Sequence, residues 1–161
     1  MNRFAATCLS AALLTCLGHA HADVLEGKVV GVTDGDTVTV LVDRREVKVR
    51  VAGIDAPEKK QAFGQRSKEH LSDCAFGKAV SVQWSKTDRY GRTIGKILAD
   101  GVDCGLRQIQ DGMAWHYKAY AKEQSATDRA AYSEAESQAV THRSGLWSDQ
   151  NPTPPWEFRH P

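Results

Sequence analysis

A small α+β barrel of five strands and three helices is the fold class this sequence predicts. Three observations point to it. Between residues 24 and 51, three apolar, β-branched segments follow one another across tight polar turns. Two more strand-like segments, Ala79 to Trp84 and Thr93 to Leu98, come after a helix-like stretch. Helical patterning then takes over in 102–112 and 125–141. Five strands interrupted and followed by helices suit a partly open Greek-key barrel of the oligonucleotide-binding (OB) type.

The first strand is expected over Val24 to Val32 and ends at the turn Thr33-Asp34-Gly35-Asp36. Thr37 to Val42 continues as the second strand, and Asp43 to Glu46 turns the chain again. Val47 to Val51 alternates cleanly and reads as the third strand of an antiparallel meander. Pro57 closes the run, because proline cannot donate to a ladder. Ala62 to Phe76 reads as a helix with Phe63, Arg66, His70 and Cys74 near one stripe, Leu71 on the apolar side and Gly77 as C-cap. Asp100-Gly101 is a hairpin-type turn. Val102 to Gly112 is expected to be a short helix with Leu106 and Ile109 inward. The third helix, Ser125 to Thr141, has Ser125 or Thr127 available as its N-cap. The tail from Trp147 to Pro161, rich in proline and aromatics, is expected to be an extended, packed strap. Neither a repeat nor a dividing linker interrupts residues 23–161, which read as one domain.

Residues 1–22 have the pattern of an export signal. Arg3 is followed by the uncharged apolar stretch Phe4 to Leu17, and Ala20-His21-Ala22 offers a small-x-small cleavage site. That stretch is shorter than the roughly 20 residues a transmembrane helix needs. A periplasmic or secreted location without a membrane anchor is therefore expected; a lipoprotein route through Cys16 is the weaker alternative. The full chain has 21 Lys+Arg against 20 Asp+Glu, and loss of Arg3 leaves them balanced. Balanced bulk charge thus argues against a protein that coats nucleic acid electrostatically. Phosphate affinity must come from local groups such as Arg44, Arg45, Lys48 and Arg50. Cleavage also leaves only Cys74 and Cys104, whose spacing fits no zinc pattern. In an oxidising compartment two cysteines favour one disulfide, with two buried thiols as the alternative.

The chemistry-bearing residues fall into three blocks: Asp34-Gly35-Asp36-Thr37, then Arg50 through Glu58, then Thr87-Asp88-Arg89-Tyr90-Gly91-Arg92. Asp36 begins the second strand and Asp55 follows the third. In antiparallel neighbours these ends lie side by side, so the two carboxylates can converge on a hard cation such as Ca²⁺. Asp34 is placed to order them indirectly. Taken alone, Asp34-Gly35-Asp36 is better explained by plain turn chemistry, and no EF-hand spacing is present. Glu58 is placed to act as general base on water, although an exposed loop glutamate is the ordinary alternative. Arg50 points away from the side of Val49 and Val51 and needs an anionic partner, which a phosphate would satisfy. Arg92 can approach from the other side, or can make only a surface salt bridge.

Together with Gly112-Met113-Ala114-Trp115 and Ser144-Gly145-Leu146-Trp147, these ordered blocks resemble the staphylococcal nuclease-like (thermonuclease) family over about Val24 to Trp147. The resemblance implies an OB barrel with three helices. It also implies a Ca²⁺-dependent phosphodiesterase on DNA and RNA that leaves 3′-phosphate ends. It assigns Asp36, Asp55 and the backbone carbonyl of Ala56 to Ca²⁺, with Asp34 behind them. Arg50, Glu58 and Arg92 match the catalytic trio. Arg89 and Tyr90 resemble the pair that touches the nucleotide, and either Tyr117 or Tyr120 offers a second aromatic contact. The loop after Glu58 is shorter than in the family's best-known member. In such a fold Cys74 and Cys104 face each other, which implies a bridge between them. The four histidines after residue 22 read as structural or surface groups, and Trp84, Trp115 and Trp147 read as core. No recognition helix is present, so low sequence specificity and single-stranded or frayed substrate are expected of a monomer. A non-catalytic OB module that binds nucleic acid or a protein partner is the alternative reading, as is a small disulfide-bonded structural protein. Neither requires Arg50, Glu58, Arg92, Asp36 and Asp55 to occur together.

Overall fold

Six strands and their ladders account for most of the architecture. The structure, a computed structural model, describes residues 23–160; the expected signal segment and Pro161 lie outside them. Strands β1 (Asp23–Asp34), β2 (Thr37–Val42) and β3 (Arg45–Val51) form the meander. After the two-residue strand β4 (Ile54–Asp55) and helix α1 (Gly64–Ala75), β5 (Ala79–Thr87) pairs antiparallel with β1. Strand β6 (Thr93–Ala99) pairs antiparallel with β5 and parallel with β3. That single parallel ladder closes β1, β2, β3, β6 and β5 into a five-stranded barrel of mixed pairing, as the element order predicted.

Alternation fills the barrel. Val29, Val38, Val40, Val49, Val82 and Ile97 are fully buried, and their intervening neighbours face outward. Each such side chain contributes about 1.5–3 kcal/mol by leaving water. The β2–β3 turn is tighter than expected. Only Asp43 and Arg44 are in it, both with positive φ (46° and 68°), so Arg45 and Glu46 join the strand. This matches the positive φ that two-residue hairpin turns demand.

Three other local expectations are corrected. Phe63 adopts φ 66° and stands outside α1 as its N-cap. The buried stripe is therefore Gly64, Ser67, Leu71 and Cys74, and Arg66 is exposed. The helix expected from Val102 starts two residues later. Val102–Asp103 first pairs with β6 as β7, and the Asp103 carboxylate then caps α2 (Cys104–Gln110) by accepting from Gly105 and Leu106 N–H, both at 3.0 Å. Leu106 is half-buried and Ile109 fully buried, while fully buried Gln108 was not foreseen. Between these elements and the tail lie β8 (Trp115–His116), a 3₁₀ turn over Lys118–Glu123 and α3 (Ala126–Thr141), which Ser125 caps. The tail is not wholly extended: a 3₁₀ turn covers Gly145–Ser148, and a short fourth helix, α4 (Pro155–Phe158), begins on a proline. Among the described residues no helix is long and apolar enough to cross a membrane.

Cys74 at the end of α1 and Cys104 at the start of α2 are joined by a disulfide with Cα atoms 5.9 Å apart, closing 30 residues of sequence. The bridge holds both helices against the barrel. A Cys74→Ala/Cys104→Ala variant is expected to lose about 3–4 kcal/mol of stability in the chain-entropy picture. Denaturant unfolding checks this, with reductant added to the parent protein as a second route to the same loss.

Candidate functional site

The acid turn and the end of the third strand meet as antiparallel pairing requires. Thr37 lies opposite Arg50 in the β2–β3 ladder, and Val51 N–H donates to the Asp36 carbonyl at 2.8 Å. Asp55 is fixed by β4, which pairs with β8 so that Asp55 faces Trp115. A hydrogen bond from Ala56 N–H to Asp36 Oδ2 (3.0 Å) then ties the two acid segments together across 20 residues.

Arg50 is the centre of the cluster. Its Nη2 donates to Asp55 Oδ1 at 2.8 Å, and its Nη1 lies 3.3 Å from Asp36 Oδ2. The same Nη1 donates to the carbonyls of Ile54 (3.0 Å) and Val51 (3.3 Å), so the fork is locked to the backbone. Asp55 is completely buried, and burial pushes its carboxyl up from the usual range, with the hydrogen bond from Arg159 and the charge of Arg50 acting against that. Asp36 is 7% exposed and also accepts from the Thr37 hydroxyl at 3.0 Å. Asp34 lies behind it, accepting from Asp36 N–H at 3.3 Å. Burial first, and then the neighbouring Asp36 charge, raise its carboxyl to about 6.

The turn that carries these acids has no spare room. A Cβ on Gly35 would lie 1.9 Å from Ser67 Oγ, so only glycine lets the turn rest on α1. From the other side, the buried Gln108 amide donates to the Gly35 carbonyl (2.6 Å) and to the Ser67 carbonyl (3.0 Å). Its own oxygen meets His70, which also pairs with Asp111. His70 is therefore structural, as expected, through a network that the sequence does not display.

Asp36 and Asp55 are desolvated carboxylates drawn to one point, oxygen donors of the kind a hard cation takes, and guanidinium groups pair with them here. Asp36 and Asp55 would supply the carboxylates, with carbonyl groups such as that of Ala56 and water completing the shell. Among the described residues, no group of three or more carboxylate, histidine or cysteine side chains forms a ready-made metal shell.

Glu58 lies beside this pair, but its carboxylate is held by Arg159 Nη1 at 2.8 Å. Arg159 also grips Asp55, with Nη2 to Oδ2 at 2.7 Å and Nη1 to Oδ1 at 3.3 Å. Sequence reasoning missed this arginine. It stands alone in the tail, belongs to none of the ordered blocks, and is separated from Glu58 by 101 residues.

The third block occupies the loop between β5 and β6. Asp88 accepts from Arg92 Nε (2.8 Å), Arg92 N–H (2.9 Å) and Tyr90 N–H (2.9 Å). Slight burial acts to raise the Asp88 carboxyl, but these hydrogen bonds together outweigh it and hold it below its usual value. Arg89 and Arg92 lie 4.8 and 5.5 Å from the Tyr90 ring centre, and Tyr90 is 68% exposed. Among the described residues Arg92 has an ion pair only with Asp88, and the parallel β3–β6 ladder sets Arg50 opposite Ile94, two residues after Arg92. Tyr117 is stacked on Trp156 (5.8 Å, 19°), whereas half-exposed Tyr120 carries Lys86 over its ring. Arg44, Arg45 and Lys48 are exposed. Trp115 is buried and packs edge-on against Trp147 at 5.5 Å, and Trp84 packs against the core, as read from the sequence.

Fold and site define a class: a closed OB-type barrel with a buried carboxylate–arginine cluster beside a basic, aromatic loop. The family described as "Staphylococcal nuclease homologue" matches residues 48–149. The chain is 45% identical to the "Micrococcal nuclease" of Shigella flexneri over 149 residues, covering 87% of this chain and 83% of that protein. It is 39% identical to an "Uncharacterized endonuclease" of Escherichia coli O157:H7 (84% and 86% covered) and 41% identical to one of Haemophilus influenzae (82% and 71%). The chain belongs to the staphylococcal nuclease family.

Proposed function

We propose that this protein is an exported Ca²⁺-dependent phosphodiesterase that hydrolyses DNA and RNA with low sequence specificity and leaves 3′-phosphate ends. One observation carries the reading: Arg50 joins the two buried carboxylates, Asp36 and Asp55, at the rim of an OB-type barrel, with Glu58 alongside. The relatives named as nucleases support a nucleic-acid substrate and a hydrolase of this family.

Each residue has a chemical task in this reading. Arg50, locked to the Val51 and Ile54 carbonyls, presents a preorganised fork to a phosphate oxygen. Glu58 takes a proton from the attacking water. Arg92, steered by Asp88, closes on the phosphate when the β5–β6 loop meets substrate, and Arg89 and Tyr90 lie against the nucleotide. When bound at Asp36 and Asp55, Ca²⁺ supplies positive charge that offsets the charge growing on the phosphate. Single-stranded or frayed nucleic acid suits the groove, because exposed Tyr90 and Tyr120 can stack on unpaired bases. The leader of residues 1–22 and the disulfide both support export, and the protein works as a monomer in this reading.

The regiochemistry is open to direct test. Products from denatured DNA are expected to resist end extension by a polymerase until a 3′-phosphatase is added. Products that extend without that treatment would contradict the assigned cleavage side.

A further inference from the structure

The tail inserts a cation mimic into the site. Arg159 takes both oxygens of Asp55 and one oxygen of Glu58 at 2.7–3.3 Å, and these are the groups the proposed function gives to the cation and to water. The side chain is placed by a built anchor. Pro155 is buried, and Trp156 lies face-on against Tyr117 and edge-on against Trp115 (6.3 Å, 74°). Gln61, three residues beyond Glu58, donates its amide to the Thr153 carbonyl. Helix α4 then turns Arg159 back toward the acids, with Arg159 N–H bonded to the Pro155 carbonyl at 3.0 Å. The same anchor covers one of the two tyrosines that were candidates for nucleotide contact.

We propose that residues 152–160 are an autoinhibitory plug whose Arg159 guanidinium competes with the divalent cation for Asp55 and Glu58 and whose Trp156 occupies the Tyr117 face. The proposal rests on the assignment of Asp55 and Glu58 above. An Asp55 oxygen cannot present the same lone pairs to a guanidinium and to a cation. Occupation by one therefore expels the other, and Ca²⁺ binding releases the plug. The physical logic is a conformational tax: apparent affinity falls by the fraction of molecules whose site is free. A plug closed in about nine-tenths of molecules weakens apparent Ca²⁺ binding about tenfold.

Calorimetric titration of Ca²⁺ into the parent chain and into an Arg159→Ala variant reads this without an activity assay. The variant is expected to bind about tenfold more tightly. In the unmodified protein, saturating Ca²⁺ is expected to speed amide exchange across residues 156–160, a readout that needs no variant. Equal or weaker Ca²⁺ binding by the variant, or a tail equally protected with and without Ca²⁺, overturns the plug. Weaker binding would instead make Arg159 a working member of the site. If both proteins bind Ca²⁺ equally and both cut DNA, the plug alone falls. If neither binds Ca²⁺, the cation assignment falls and the plug with it.

Discussion

Glu58→Gln is expected to lower kcat on denatured DNA by about 10²–10⁴-fold, the usual worth of a positioned general base. The amide keeps the size and one acceptor oxygen but cannot take the proton. Substrate affinity should change little, because Glu58 is not part of the Arg50 fork that grips Asp36 and Asp55. The loop geometry should also survive. Glu58 N–H is fixed by the Gln61 side chain (3.0 Å), and the Glu58 carbonyl accepts from Gln61 N–H (2.8 Å), neither of which uses the carboxylate. Steady-state kinetics on denatured DNA check the split; a variant as fast as the parent removes Glu58 from the chemistry.

Arg50→Lys is expected to cost about 10²–10³-fold in kcat, the scale seen when a preorganised donor to a developing charge is lost. The charge survives, but the geometry does not. Arg50 reaches the Val51 and Ile54 carbonyls, Asp36 and Asp55 from one planar fork, and a lysine ammonium cannot span those acceptors. Arg50→Ala goes further, because it removes one of the two cations holding the fully buried Asp55 carboxylate. Breaking a buried pair typically costs about 3–5 kcal/mol, so this variant should also unfold at markedly lower denaturant. Measuring kcat and denaturant midpoints for both substitutions separates the two effects: lysine should reduce catalysis more than stability, and alanine should reduce both.

The barrel and the acid cluster were legible in the sequence because both are written in local pattern. The alternation Val47-Lys48-Val49-Arg50-Val51 fixes which way Arg50 points, and the meander fixes that Asp36 begins where the third strand ends. The start of α2 was not legible, because Asp103 serves first as a β7 residue and then as a cap, and the pattern of a helix does not reveal that double use. Phe63 misled for a related reason: its left-handed backbone takes it out of the helical stripe. Gln108 and Arg159 were invisible for a different one. Their partners, Gly35 and Ser67 for the first and Asp55 and Glu58 for the second, lie 41 to 104 residues away, and no spacing rule connects them. The Arg92 block was legible because it is written locally: Asp88 closes its own turn by accepting from Tyr90 N–H, Arg92 N–H and Arg92 Nε.

The proposed cation dependence of the cluster is tested most directly by the rate of denatured-DNA cleavage by the parent chain as free Ca²⁺ is titrated and then removed with a chelator. A saturable rise with Ca²⁺, abolished by the chelator and by Asp55→Asn, is the expected result. A rate that the chelator leaves unchanged contradicts it.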